Sequence, residues 1–227
     1  MTNTEAYLQC RCGACVIALA DPQVRARTQC FCFDCRQRGL ISAAQSPENA
    51  LPDDVKNFER GVDLAYFSNC LIVDDSSREL LEFSKLTPEG SNTTAMSSCC
   101  GTLMCGTHPL YEGNTISVNT DNCRVNVPSD IQVDAVVFAR DAPAKNAALI
   151  AEQSSIPVVF DVFESLDSPV MQKFIAAVTA PIPENGKIEG TVKFEDLCVT
   201  KTLTICNDFH IESRSGKTAM PEQKRKS

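Results

Sequence analysis

The sequence predicts a mainly β domain followed by an α+β extension, and three observations carry that prediction. Short runs rich in Val, Ile, Leu and Phe are separated by Pro-, Asp-, Asn- and Ser-rich turns up to about Val127, the pattern of strands rather than of helices. Three groups of cysteines, at 10–15, 30–35 and 99–105, interrupt those runs at turns. After Pro128 the character changes, with alanine-rich segments that open on proline. The expected division is a β domain over 6–140, an α+β extension over 141–210 packed on it, and a disordered tail over 211–227.

Taken in order, Ala6 to Gln9 reads as a strand and Val16 to Ala20 as a second, with Cys10-Arg11-Cys12-Gly13-Ala14-Cys15 as a knuckle between them. Gly13 supplies the backbone freedom of a tight turn. Asp21-Pro22 turns the chain into a strand over Val24 to Gln29, which delivers Cys30-Phe31-Cys32-Phe33-Asp34-Cys35. Ser46 to Asp54, with Pro47 and Pro52, reads as loop. Leu64 to Val73 and Glu79 to Leu86 are β-rich, joined by a turn at Asp74-Asp75-Ser76-Ser77, and Pro88 to Asn92 is another turn. Thr115 to Val118 and Arg124 to Val127 close the first unit. Val133 to Ala139 is an apolar strand. Pro143 to Gln153 and Ser168 to Ala180 read as helices, the second with Ser168 as cap and Pro169 in its first turn. Gly190 to Cys206 returns to β character.

Composition excludes several classes. The chain has 227 residues, 43% hydrophobic, enough for one sizeable domain with an extension. Met1 to Gln9 has neither a basic start nor an apolar run, and no apolar stretch approaches the ~20 residues that span a bilayer. The expectation is a cytoplasmic protein with no membrane partner. A net charge of −8, a pI near 4.8 and the lack of a basic patch in the body argue against nucleic acid as a partner. Lys224-Arg225-Lys226 reads as part of a solvated end.

Thirteen cysteines need an account. Without a secretory signal, C-x-C and C-x-x-C clusters favour metal over disulfide, with zinc the default and iron–sulfur the lesser alternative. Cys70, Cys123, Cys198 and Cys206 stand singly and read as small buried hydrophobes. Cys30, Cys32 and Cys35 supply three ligands to one ion: in extended chain the first two sulfurs share a face, and the C-x-x-C turns the third back. Cys10 and Cys12 supply two more, and a four-coordinate structural site needs two others from Cys99, Cys100 and Cys105. Neighbours on a strand point to opposite faces, which favours Cys100 with Cys105 and leaves Cys99 as the alternative to either. Cys15 reads equally as a ligand or as a buried small residue. His108 is a further candidate ligand.

Cys10-Arg11-Cys12-Gly13, Cys30-Phe31-Cys32-Phe33-Asp34-Cys35-Arg36 and Cys105-Gly106-Thr107-His108-Pro109-Leu110-Tyr111 resemble the three signatures of the glutathione-dependent formaldehyde-activating enzyme family, which includes centromere protein V. The resemblance covers about 6–140. It implies a zinc-bound, β-tent-like fold with one closed four-cysteine zinc and one open three-cysteine zinc. It also implies an enzyme of the carbon–sulfur lyase class, in which the open zinc holds the thiol of glutathione while formaldehyde adds to it. The third motif departs from the pattern, since Thr102 stands three before Cys105 where the family has cysteine. Cys100 could take that place. A second alignment, on Cys99-Cys100-Gly101-Thr102, makes Cys105 the extra thiol.

The chemistry of the donors leads the same way. Three thiolates on a dication leave a net charge of −1, so hydrolysis by zinc hydroxide is disfavoured. A soft fourth ligand, such as a substrate thiol, suits the centre better and is nucleophilic as thiolate. Arg36 and Arg38 beside the cluster could receive a substrate carboxylate. The expected cofactors are two zinc ions, with glutathione or another thiol as co-substrate. The alternative function is a non-catalytic, zinc-stabilised protein-interaction module.

Overall fold

The computed structural model describes residues 6–126, 132–153 and 155–206. These form two sheets, with thirteen strands against six α-helices, so the mainly β expectation holds. The expected tail over 211–227 and the end of the strand expected at Arg124 to Val127 lie outside the described residues.

Strands β1 (Tyr7–Gln9) and β2 (Val16–Leu19) pair antiparallel, Leu8 opposite Ile17. With β5 (Leu71–Ile72) and β10 (Arg124–Val125) they make a four-stranded sheet of order β10-β1-β2-β5. The larger sheet has nine strands. Its antiparallel centre is β3 (Ala26–Cys30), β4 (Val62–Ser68), β9 (Thr115–Asn119), β8 (Leu103–Thr107), β7 (Thr93–Ser97) and β6 (Leu81–Lys85), in that spatial order. Beyond β3 lie β11 (Ala135–Val137) and β12 (Val158–Val159), and beyond β6 lies β13 (Leu203–Ile205), all in parallel pairing.

The alternation of strand side chains places the two cores. Ala65 and Phe67 of β4 face the small sheet, where they pack with Leu8, Ile17, Leu71, Met104 and Ile116. Val62, Leu64 and Tyr66 face the other way, with Ala26 and Cys30 of β3, against helix α5 (Pro169–Thr179) through Met171 and Val178. A strand covered on both faces is apolar throughout rather than alternating, which is how β4 reads. Arg25 fastens this last layer. Its guanidinium donates to Ser68 Oγ and Thr115 Oγ1, each at 3.0 Å, and to the carbonyls of Ala180 and Pro181 at 2.5 and 3.1 Å.

Helix α5 starts as its sequence indicates, Ser168 Oγ accepting from the Met171 amide at 3.3 Å with Pro169 next. Helix α4 (Ala144–Gln153) follows Pro143. Three segments differ from the sequence reading. Helix α1 (Phe33–Gln45) occupies residues to which the pattern assigns no element. The segment read as a loop at Ser46 to Asp54 holds a 3₁₀ turn over Pro47–Asn49 and leads into helix α2 (Asp53–Lys56). Asp74 caps helix α3 (Asp75–Glu79), its Oδ1 accepting from the Ser77 amide at 2.6 Å, where a plain turn was expected. The residues that favour turns also favour N-caps. Most of Gly190 to Cys206 is not strand. Val192 bridges Leu71, helix α6 (Phe194–Cys198) follows with Asp196 accepting from the Lys193 amide, and only Leu203–Ile205 joins the sheet. Phe194 is drawn inward to stack edge-on against Phe83 at 5.5 Å, and that packing overrides the alternating pattern. The segment after 141 supplies strands at both edges of the nine-stranded sheet, so no break in the sheet marks the expected boundary.

Candidate metal centres

The first centre is built by two turns. Between β1 and β2, Gly13 with φ +86° lets its amide return to Cys10 O at 3.0 Å. The Cys15 amide donates to Cys10 Sγ at 3.2 Å, so this sulfur is met by a backbone N–H. Between β7 and β8, Ser97 bonds Thr102 O at 2.9 Å and Gly101 bonds Ser97 O at 2.7 Å. Gly101 has φ +67°, and a Cβ there would sit 2.3 Å from Gln45 Cβ, so no other residue fits. The Arg11 amide donates to Thr102 Oγ1 at 3.0 Å and docks the two turns.

This brings Cys10, Cys12, Cys99 and Cys100 together, all four sulfurs within 4.8 Å of one another. Cys10 lies 3.5 Å from Cys12 and 3.7 Å from Cys99, and Cys12 lies 3.4 Å from Cys99. A tetrahedron with bonds of ~2.3 Å has edges of about 3.8 Å, so the donor set fits zinc. Burial raises the Cys100 thiol, but hydrogen bonds with Ser97 and Thr102 and from the backbone outweigh it and bring it down to about 6.

The preferred pairing of Cys100 with Cys105 is corrected. Cys105 sits inside β8 opposite Ala95, buried among the residues between the sheets, and is not part of the cluster. The objection to adjacent ligands assumed a strand at 99–100. Those residues lie in the turn after Ser97, where successive side chains need not alternate. Cys15 takes its bland role: it is buried, donates to Ser77 O, and burial pushes its thiol up to about 12.

The second centre lies where β3 runs into α1. Cys30 ends the strand on its inward face, Cys32 caps the helix, and Cys35 lies in the first turn. The Cys32 amide donates to Cys30 Sγ and the Cys35 amide to Cys32 Sγ, both at 3.4 Å. All three sulfurs lie within 4.8 Å of one another, and among the described residues no fourth His, Cys, Asp or Glu joins them. The N-terminus of a thirteen-residue helix favours thiolate there. Hydrogen bonds from Cys30 and Cys32 hold the Cys35 thiol well below the usual range. The same bonds push Cys30 well above it. Such a set takes up a soft divalent ion with loss of the remaining protons.

The two arginines part company. Arg36 donates to the carbonyls of Val55 and Lys56 at 2.5 and 3.0 Å and lies 3.4 Å over the Phe58 ring, so its guanidinium is spent in holding α1 against α2. Its expected role toward substrate is withdrawn. Arg38 makes no hydrogen bond or ion pair among the described residues. His108 belongs to neither cluster; its Nδ1 accepts from the Leu110 amide at 3.0 Å and caps the turn 109–111. Two residues the sequence reading missed back the second centre. Tyr66 and Tyr111 meet edge-on at 5.8 Å in the same core as the three cysteines. The signal for Tyr66 was its parity, since β4 pairs Val62 with Cys30 and Tyr66 with Ala26.

The molecule is thus a mainly β protein with two cysteine clusters, one of four thiols and one of three, each able to hold a metal ion. Among the described residues no helix is long and apolar enough to cross a membrane. Comparison with models of protein families, with curated proteins and with solved structures finds no match.

Proposed function

We propose that this protein is a zinc-dependent enzyme that forms or breaks a carbon–sulfur bond in a thiol adduct, with glutathione and an aldehyde such as formaldehyde as the substrate pair. On this reading it is a glutathione-dependent formaldehyde-activating enzyme of the family that also includes centromere protein V. Cys10, Cys12, Cys99 and Cys100 hold a structural zinc, and Cys30, Cys32 and Cys35 hold the working one. One observation carries the reading: three thiols converge at a helix N-terminus and no fourth ligand from the described chain closes the set.

Bound there, zinc supplies a place for a substrate thiol to ionise at neutral pH. The chain's own residues supply the rest. The α1 terminus favours the negative charge that the thiolates bring together. Tyr66, Tyr111 and α5 form an apolar wall behind the cluster that limits water. In the forward direction sulfur bonds to the carbonyl carbon, the carbonyl electron pair moves to oxygen, and that oxygen takes a proton from solvent. A reduced compartment such as the cytoplasm keeps these thiols free for metal.

Replacement of zinc by cobalt gives the test. Glutathione entering the three-cysteine site should add a sulfur-to-metal charge-transfer band and shift the visible d–d bands. A spectrum indifferent to glutathione at millimolar concentration would mean a site closed by another ligand, and the non-catalytic interaction module would replace the enzyme.

A further inference from the structure

We infer that Arg38 and His108 form the reading wall of the three-cysteine centre, and that the thiol accepted there carries a carboxylate. This rests on the proposed function and narrows its substrate class.

Arg38 lies on α1 three residues after Cys35, on the same helix face. Its charge reaches the cluster: it lowers the Cys35 thiol and opposes the burial that raises the Asp34 carboxyl. Yet it is half-buried with no hydrogen bond or ion pair from the described chain, Asp34 included. A guanidinium has five N–H donors and no acceptor, and partial burial makes leaving them unmatched costly. Arg36, two residues earlier, has its donors satisfied by carbonyls, so the contrast lies within one helix turn.

His108 approaches from the other side. The turn after it carries Tyr111, whose ring lies 5.8 Å from the His108 ring and 5.8 Å from Tyr66. The Cys35 and Cys30 thiols add to the burial that raises the Tyr111 hydroxyl, which puts Tyr111 beside the cluster. His108 Nδ1 is occupied as acceptor from Leu110, so the ring hydrogen sits on Nε2. No group of the described chain accepts it. Burial and then the Arg38 charge keep the ring neutral at ordinary pH. A cation and a neutral N–H donor therefore share one wall of the site with no acceptor between them. A carboxylate accepts from both, and its bond to the guanidinium is charge-assisted. A neutral thiol leaves both donors unmatched, and an aminothiol meets like charge.

The test uses the cobalt-substituted protein titrated with 3-mercaptopropionate, 2-mercaptoethanol and cysteamine, each corrected for its own ionisation. Wild type should bind the carboxylate thiol about tenfold more tightly than mercaptoethanol, which corresponds to ~1.4 kcal/mol, and cysteamine most weakly. Arg38→Gln should erase the tenfold advantage and leave mercaptoethanol binding unchanged, which also shows that the variant folds. Arg38→Lys should restore part of it, and His108→Ala should reduce it by about threefold. Equal binding of the three thiols by wild type, or an advantage that survives Arg38→Gln, overturns this inference and leaves the proposed function standing. Absence of any thiol response overturns both.

Discussion

Cys99 and Cys105 lie six positions apart and do opposite work, and the difference follows from where the backbone turns. Cys99 follows Ser97, the last residue of β7, and its sulfur meets Cys10 and Cys12 at 3.7 and 3.4 Å. Cys105 is buried in β8 with no metal partner. Cys99→Ser should cost the protein one metal and much of a contribution that reaches ~10 kcal/mol in small zinc peptides, read as loss of soluble protein or a collapse of the melting temperature. Cys105→Ser should keep both metals and lose about 1–3 kcal/mol for a buried hydroxyl lacking a partner. Metal content alongside urea unfolding separates them. His108 gives a pH prediction. Its pKa is pushed from 6.5 to about 4, first by burial and then by Arg38. Between those values the unfolded chain binds a proton that the folded one refuses, so stability rises with pH across that window, by about 3 kcal/mol in total. Compared with wild type, His108→Gln should flatten that slope; an unchanged slope would contradict a buried neutral ring. The cysteine ligands were legible as clusters because thiol spacing is itself the signal. Which thiols close a site depends on turn geometry, which residue types at 98–102 do not specify.

At the scale of elements, short strands between turns were readable, and so was α5, whose Ser168-Pro169 start has a local cause. Helix α1 was not. Its composition, with Gly39 and a scattered polar face, has no strong apolar period, and its start is capped by Cys32, a residue outside the usual capping set. Gly39 is there for packing, since a Cβ would meet Leu51 Cδ2 at 2.6 Å. Helix α6 was hidden for another reason: Phe194 is held by a long-range contact with Phe83 that local pattern does not carry. Arg25 is the element-scale joint, tying the end of α5 to β4 and β9. Arg25→Met should destabilise the fold by about 2 kcal/mol, a charged hydrogen-bond donor being worth ~1.5–3, with α5 amides losing hydrogen-exchange protection first. Protection lost evenly over the molecule would contradict that placement.

Across the whole molecule, the four-cysteine centre joins a turn of the small sheet to a turn of the large one, and the three-cysteine centre sits on the opposite face of the large sheet. That separation gives the two metals different consequences. Cys35→Ser should remove one ion and leave the fold largely intact, because the remaining zinc still ties the sheets. Strong chelation, which removes both, should unfold the protein. Near-equal destabilisation by Cys35→Ser and by Cys12→Ser would show that both centres are structural.

Zinc K-edge X-ray absorption on the purified, zinc-loaded protein reads the central claim directly, because it counts sulfur neighbours. A four-thiol and a three-thiol site with two zinc ions per chain should average about 3.5 sulfurs at ~2.3 Å with one lighter neighbour at the open zinc. Glutathione should raise the average to about 4 as that neighbour is displaced. An average of 4 before any thiol is added, or no change on adding it, would mean that the second centre is closed by the protein itself.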